Sequence, residues 1–197
     1  YYDFFYEKGK YFYAICGDAT GHGVISGIMV SVTKAALSGI PMSSPSKILE
    51  QLNGIVKKVN FGRLRMSLSV AKINEDTIEL SSAAMPPTYY FNSKKNNLEE
   101  ILVPNLPLGG IQREKFDGIK LNFKKGDLIV MISDGLPELP NPNEEILDYE
   151  KVEQCLKNNS KKGAEEIKDA LVNLSEEWSN GILNPDDITI VVIKKAA

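Results

Sequence analysis

The chain has 197 residues with a formal net charge of −3, 43% hydrophobic and 25% charged, values of a globular protein with its own core and far from those of disordered or fibrous chains. Lysine pairs at 57–58, 94–95, 124–125 and 161–162 are spread along the sequence with acidic residues between them, so no basic stripe for nucleic acid is legible. Cys16 and Cys155 are too few and too far apart for a disulfide framework or a zinc cluster, and no run reaches the roughly 18 to 20 apolar residues of a membrane span.

The chain opens with two aromatic and β-branched runs, 1–6 and 10–16, around Glu-Lys-Gly-Lys, the pattern of a hairpin. After residue 23 apolar residues recur at Val24, Ile28, Met29, Val32, Ala35 and Ala36, which predicts a helix with that buried face. Gly39 and Pro41 end it. A second helix is predicted from Ser44-Pro45, serine as cap and proline in the first turn, burying Ile48, Leu52, Ile55 and Val59 and ending near 60–62.

Alternation over 65–73 predicts a half-buried strand. Runs at 77–81, 89–91, 98–103 and 115–123, split by short turns, predict antiparallel meanders, since parallel neighbours need a longer crossover. Leu128–Ile132 is unbroken apolar sequence suited to a central strand. Helices over about 149–157 and 164–178, with Trp178, Leu171 and Leu174 on a core face, precede a last strand at 188–193. This segregation of strands and helices predicts an α+β layered sandwich, one domain spanning 1–197. Strand-like residues at the very start, with no methionine and no secretion leader, read as the C-terminal part of a longer cytoplasmic protein whose sensor or membrane segments lie upstream.

Aspartates stand at the ends of three buried runs: Asp18 in Cys-Gly-Asp, Asp134 in Ser-Asp-Gly, and Asp186-Asp187 before the last strand. Turn propensity alone accounts for any one of them. If the rims of a sandwich bring them together, mutually repelling carboxylates call for cations, and an oxygen-only set suits magnesium or manganese. Gly21 and Gly23 on either side of His22, the single histidine, leave room for backbone to approach an ion or phosphate. Arg63 and Arg65 are candidates for phosphate contact or for a solvated turn.

Asp-Ala-Thr-Gly-His-Gly at 18–23, Ser-Ala-Ala-Met-Pro-Pro at 82–87, Leu-Pro-Leu-Gly at 106–109, Lys-Gly-Asp at 125–127, Ile-Ser-Asp-Gly at 132–135 with Glu138, and Pro-Asp-Asp-Ile-Thr at 185–189 together resemble the PPM-type, protein phosphatase 2C-like, metal-dependent phosphatases. The similarity is to their SpoIIE/RsbU-like bacterial branch and runs from Tyr1 to about Ile193.

The resemblance implies a four-layer α-β-β-α sandwich with two central antiparallel sheets and two Mn2+ or Mg2+ ions. Asp18 corresponds to the carboxylate bridging both ions, the carbonyl of Ala19 to a backbone ligand, Asp134 and Asp186 to further ligands, and Asp187 to a lesser one. Gly21, His22, Gly23 and Asp3 fall on the phosphate side or behind the ligands. The implied activity is hydrolysis of a phosphoserine or phosphothreonine on a protein, of the anti-sigma-factor antagonist type, with an upstream sensor domain and homodimerisation coupled through the helices at about 23–38 and 45–60. The branch carries Gly-Gly-Asp directly before Tyr-Tyr-Asp, and that aspartate is not among these residues. Met85 replaces a histidine common among relatives. A binding module with the fold but a weak metal centre is therefore the alternative expectation.

Overall fold

A computed structural model describes residues 1–7, 10–21, 23–110 and 115–196. The elements are β1 (Tyr2–Glu7), β2 (Tyr11–Ala19), α1 (Val24–Gly39), α2 (Pro45–Val59), β3 (Met66–Ile73), β4 (Thr77–Ala83), β5 (Thr88–Asn92), β6 (Asn97–Ile101), β7 (Ile119–Asn122), β8 (Leu128–Ile132), α3 (Tyr149–Asn159), α4 (Ala164–Ser179) and β9 (Ile190–Lys194). They belong to two compact units, Tyr1–Met85 with Leu102–Asn122, and Pro86–Ile101 with Phe123–Ala197.

The first unit is a five-stranded antiparallel sheet in the order β1-β2-β3-β4-β7 with α1 and α2 beside it. The β1–β2 hairpin pairs as the aromatic runs predict, Phe4 opposite Ala14, while its turn residues Lys8 and Gly9 lie outside the described residues. Tyr13, Ile15 and Ala19 of β2 point into a core with Met29, Leu37, Ile48 and Leu52 from the helices. Ser44 and Pro45 start α2, and Asn60 ends it in a left-handed conformation, as the sequence indicates.

The helix faces differ from the periodicity reading. On α1 the buried stripe is Met29, Thr33 and Leu37, whereas Val24, Ile25 and Ile28 are 80%, 58% and 48% exposed. Thr33 tolerates burial because its hydroxyl donates to the Met29 carbonyl at 2.9 Å. On α2, Ile48 and Leu52 are buried but Val59 is exposed, and Asn53 is buried instead, accepting from the Gly109 N–H at 2.9 Å. Strand β3 is not half-buried: between β2 and β4 both of its faces are covered from Leu68 to Ala71. The later strands all pair antiparallel, as their short spacings predict, but they divide between the sheets: β5 and β6 join the other sheet before β7 returns to pair with β4.

The second unit is a four-stranded antiparallel sheet, β6-β5-β8-β9. All five residues of β8 are buried, as an unbroken apolar run demands of a central strand. Leu156, Ile167 and Leu171 of α3 and α4 pack onto Tyr89, Val130 and Ile132; removing one such leucine side chain costs about 2–5 kcal/mol. Trp178 is partly buried at this core's edge and donates to the Leu139 carbonyl at 3.0 Å. Among the described residues no helix is long and apolar enough to cross a membrane.

Candidate metal centre

The predicted carboxylates are distributed over both units. In the first, β2 runs on through Asp18 to Ala19, so Asp18 is a strand residue opposite Ser67 rather than a turn residue after the strand. Gly17 is fixed by packing: a Cβ there would stand 2.4 Å from Leu68 Cδ1 and 3.0 Å from the Ser67 carbonyl oxygen. Asp18 is half-buried and Ala19 buried. Pairing continues one step further, the Thr20 N–H donating to the Arg65 carbonyl at 3.0 Å. Gly21 and Gly23 then adopt φ of +85° and +80° with open space where a side chain would stand, conformations that side-chain-bearing residues resist. His22 lies outside the described residues.

Asp3 is turned the other way. It sits opposite Ile15, and directly opposed residues of an antiparallel pair share a face. Ile15 points to the helices, so Asp18, three residues on, points to the other face. Asp3 accepts from Tyr1 Oη at 3.0 Å and from the Phe4 N–H at 2.9 Å, and pairs with Lys34 of α1. Partial burial works against its charge, but Lys34, Tyr1 and the Phe4 amide outweigh it and hold the carboxyl below its usual range. The face of Asp3 is thus not that of Asp18.

In the second unit, β8 delivers Ser133 and Asp134 at its C-terminal end, and β9 begins just after Asp186 and Asp187. Ser133 ties the two together. Its N–H donates to the Thr189 carbonyl at 3.0 Å, its hydroxyl accepts from the Thr189 N–H at 2.8 Å, and the same hydroxyl donates to the Asp187 carbonyl at 3.1 Å. Gly135 allows the approach: a Cβ would lie 2.5 Å from the Asp187 carbonyl oxygen. Asn184 steadies the loop from the other side, donating to the Gly135 carbonyl at 3.4 Å and accepting from the Asp186 N–H at 3.3 Å.

Carboxylate oxygens of Asp134 and Asp186 consequently come within 4.8 Å of each other. Asp134 Oδ1 is buried and has no hydrogen-bond partner among the described residues. A buried carboxylate oxygen in that state carries a desolvation cost that a cation would offset. The donor set is all oxygen, so the residues fit a hard divalent ion such as magnesium or manganese. The backbone of Asp187 is held on both sides: its carbonyl accepts from the Ser133 hydroxyl, and its N–H donates to Asp186 Oδ1 at 2.8 Å.

Of the remaining candidates, Arg65 turns inward, donating to the Gly62 and Leu64 carbonyls at 2.8 and 2.7 Å, which makes it a turn clamp. Met85 is buried, its N–H donating to Ser82 Oγ at 3.3 Å. Ser133 and Asn184 were missed by the sequence reading. Only the serine left a signal, as a lone hydroxyl closing an apolar run.

The family model described as Stage II sporulation protein E (SpoIIE) matches residues 8–196. Phosphoserine phosphatase RsbU of Bacillus subtilis is 27% identical over 202 residues, covering 99% of this chain and 58% of that protein; this chain thus spans little more than half the length of that relative. Among solved structures, the SiaA-PP2C domain of Pseudomonas aeruginosa is similar with a TM-score of 0.86 at 16% identity, over 98% of this chain and 78% of that one. RsbX in complex with magnesium is similar with a TM-score of 0.68 at 18% identity, over 97% and 85%. These structural likenesses carry the fold, a mixed α+β arrangement shared with protein phosphatase 2C-like domains, with two antiparallel sheets and four helices among the described residues. The match over nearly the whole length makes this chain a member of the SpoIIE family.

Proposed function

We propose that this chain is a metal-dependent protein serine/threonine phosphatase in bacterial signalling, its two units forming one phosphatase domain. The observation that carries the reading is the buried Oδ1 of Asp134, without a hydrogen-bond partner among the described residues and held beside Asp186 by the Ser133 hydroxyl. Membership of the SpoIIE family and similarity to a phosphoserine phosphatase support it. In this proposal Asp18, the Ala19 carbonyl, Asp134 and Asp186 hold two Mn2+ or Mg2+ ions, with Asp187 secondary. Such ions, when bound, supply charge to phosphoryl oxygens and lower the pKa of a bound water.

The residues of the chain would do the rest. Asp134 and Asp186 present charge at the end of β8 and β9, Ser133 keeps them in register, and Gly21 and Gly23 leave the backbone after Asp18 open to a phosphoryl group. The substrate proposed is a phosphoserine or phosphothreonine on a small antagonist of an anti-sigma factor, in the cytoplasm. Upstream sensing and homodimerisation through α1 and α2 are proposed on the resemblance alone.

The test is release of phosphate from a phosphoserine protein by the purified chain, with manganese and with chelator. Activity that needs the ion and falls by at least about 10²-fold in Asp18→Ala and Asp134→Ala upholds the reading. Ion binding without turnover, in a version extended upstream as well, would replace it with the binding-module alternative.

A further inference from the structure

The lysine pairs that are scattered in sequence are gathered by the second unit. Lys94-Lys95 lie in the β5–β6 turn, Lys124-Lys125 in the turn before β8, Lys161-Lys162 in the α3–α4 turn and Lys194-Lys195 at the end of β9. Strand register puts the first two and the last at one end of the sheet, since Asn92 pairs with Asn97, Phe91 with Leu128, and Leu128 with Lys194; the α3–α4 turn is brought to the same end by Lys194 itself.

Buried Asp127 pins this end. It accepts from the Ser93 N–H, the Ser93 hydroxyl and the Lys124 N–H, each at 2.8 Å, while its carbonyl accepts from the Lys195 N–H at 2.9 Å. Lys194 Nζ draws in the α3–α4 turn by donating to the Ser160 carbonyl at 2.9 Å and to the Lys162 carbonyl.

Acidic groups nearby are already engaged. Asp127 is used as above, Glu166 accepts from the Gly163 N–H, Glu99 from Asn97 Nδ2, and Glu153 pairs with Lys157. Lys94, Lys95, Lys125, Lys161 and Lys162 are exposed, and none is ion-paired among the described residues. Against them stands the exposed Glu165. A groove of about 350 Å³ opens at the same place, lined by Asn96, Asn97, Asn158, Ser160 and Lys161, by Lys157, which is paired with Glu153, and by the buried Phe91 and Leu98. Its amides and the Lys161 ammonium suit phosphate oxygens.

We infer that this end of the second unit is a docking surface for an anionic lipid bilayer, held electrostatically and without insertion. Charge complementarity calls for a polyanion, and the side-chain chemistry of the patch favours a lipid surface among them. The cationic groups are all lysine, compact point charges, and arginine forks suited to bidentate carboxylates are lacking in these turns. No exposed large hydrophobic residue falls in these turns, so the patch has neither the apolar centre of a protein interface nor the aromatic platforms that stack nucleobases. Clusters of 4–8 lysines are what anionic headgroups recruit. Asp134 and Asp186 stand at the opposite end of β8 and β9, about 17 Å away for a five-residue strand, so docking leaves them turned from the bilayer.

The test is co-sedimentation of the purified chain with vesicles of phosphatidylcholine alone or with about one-third phosphatidylglycerol. Expected is binding to the anionic vesicles only, lost in high salt, and weakened by more than about 100-fold in Lys94→Gln/Lys95→Gln/Lys125→Gln/Lys161→Gln/Lys162→Gln, at about fivefold per lysine. For equal charge change, Lys94→Gln/Lys95→Gln/Lys125→Gln should weaken binding far more than Lys47→Gln/Lys57→Gln/Lys58→Gln in the first unit. An unchanged melting temperature keeps misfolding out of the comparison. No binding to anionic vesicles, equal loss in the two triple variants, or tighter binding to polyglutamate or duplex DNA at the same salt would each overturn the proposal.

Discussion

Ser133 and Thr189 are joined by reciprocal hydrogen bonds, backbone N–H of each to an oxygen of the other, at 3.0 and 2.8 Å. This pair continues the β8–β9 ladder one step past Ile132 and Ile190 and fixes where the carboxylates on either side of it stand. Ser133→Ala removes the hydroxyl from both the Thr189 N–H and the Asp187 carbonyl, leaving a buried donor unmatched. A stability loss of about 1–3 kcal/mol is expected in urea titration, with manganese affinity lowered in calorimetry because Asp186 loses its anchor.

Gly135→Ala brings a methyl group to 2.5 Å from the Asp187 carbonyl oxygen. Backbone cannot yield as a flexible side chain does, so the loop must move. Overpacking of this kind costs about 1–3 kcal/mol. Gly27→Ala, in a helix with nothing within 4 Å, is the comparison and should be neutral or stabilising. If the two variants melt together, the close approach at Gly135 is not a constraint.

Asp134→Asn separates the cost of an empty site from the benefit of a filled one. Without ions the substitution removes charge from a buried oxygen that has no hydrogen-bond partner among the described residues and should leave stability unchanged or raised. With manganese at about 100 times its dissociation constant, the unaltered chain should gain about 2.7 kcal/mol, roughly 5–10 °C in melting temperature for a chain of this size. Chelator should abolish the gain, and Asp134→Asn should never show it.

Asp3→Asn tests the division of the first sheet into two faces. The carboxyl of Asp3 is held below its ordinary value of 3.8, so its contribution is present above that value and is lost as pH falls through the lower, folded-state value. Lys34 is well exposed, which limits the effect to under about 1 kcal/mol at pH 7. The variant should match the unaltered chain in urea once the pH is below the folded-state value of that carboxyl, and manganese affinity at pH 7 should not change. Weakened ion binding would place Asp3 with Asp18 after all.

Asp127→Ala should be the costlier change, although it lies at the end of β8 away from Asp134. It takes the acceptor from four donors, the Ser93 N–H and hydroxyl, the Lys124 N–H and, at 3.4 Å, the Tyr90 hydroxyl, of which the Ser93 hydroxyl keeps the Lys125 carbonyl, for a loss of about 2–4 kcal/mol. Hydrogen exchange should quicken first in the β5–β6 turn. The Lys-Gly-Asp motif at 125–127 therefore has a structural explanation.

Local chemistry decided much of this protein. Leu128–Ile132 reads as a central strand, Ser44-Pro45 as the opening of a helix, and the order of aspartate motifs was enough to state the family resemblance. These features depend on residues within a turn or a strand of one another, where period and propensity act directly. Tertiary structure decided the rest. The burial of Thr33 depends on its bond to Met29, and the face of Asp3 depends on its register against Ile15. The departure of β5 and β6 to another sheet is likewise invisible in short turns that look like a meander. The lysine pairs show the limit most plainly: no local pattern links Lys94-Lys95 to Lys161-Lys162. Pairing between strands far apart in sequence, closed by Asp127 and Lys194, is what sets their turns side by side.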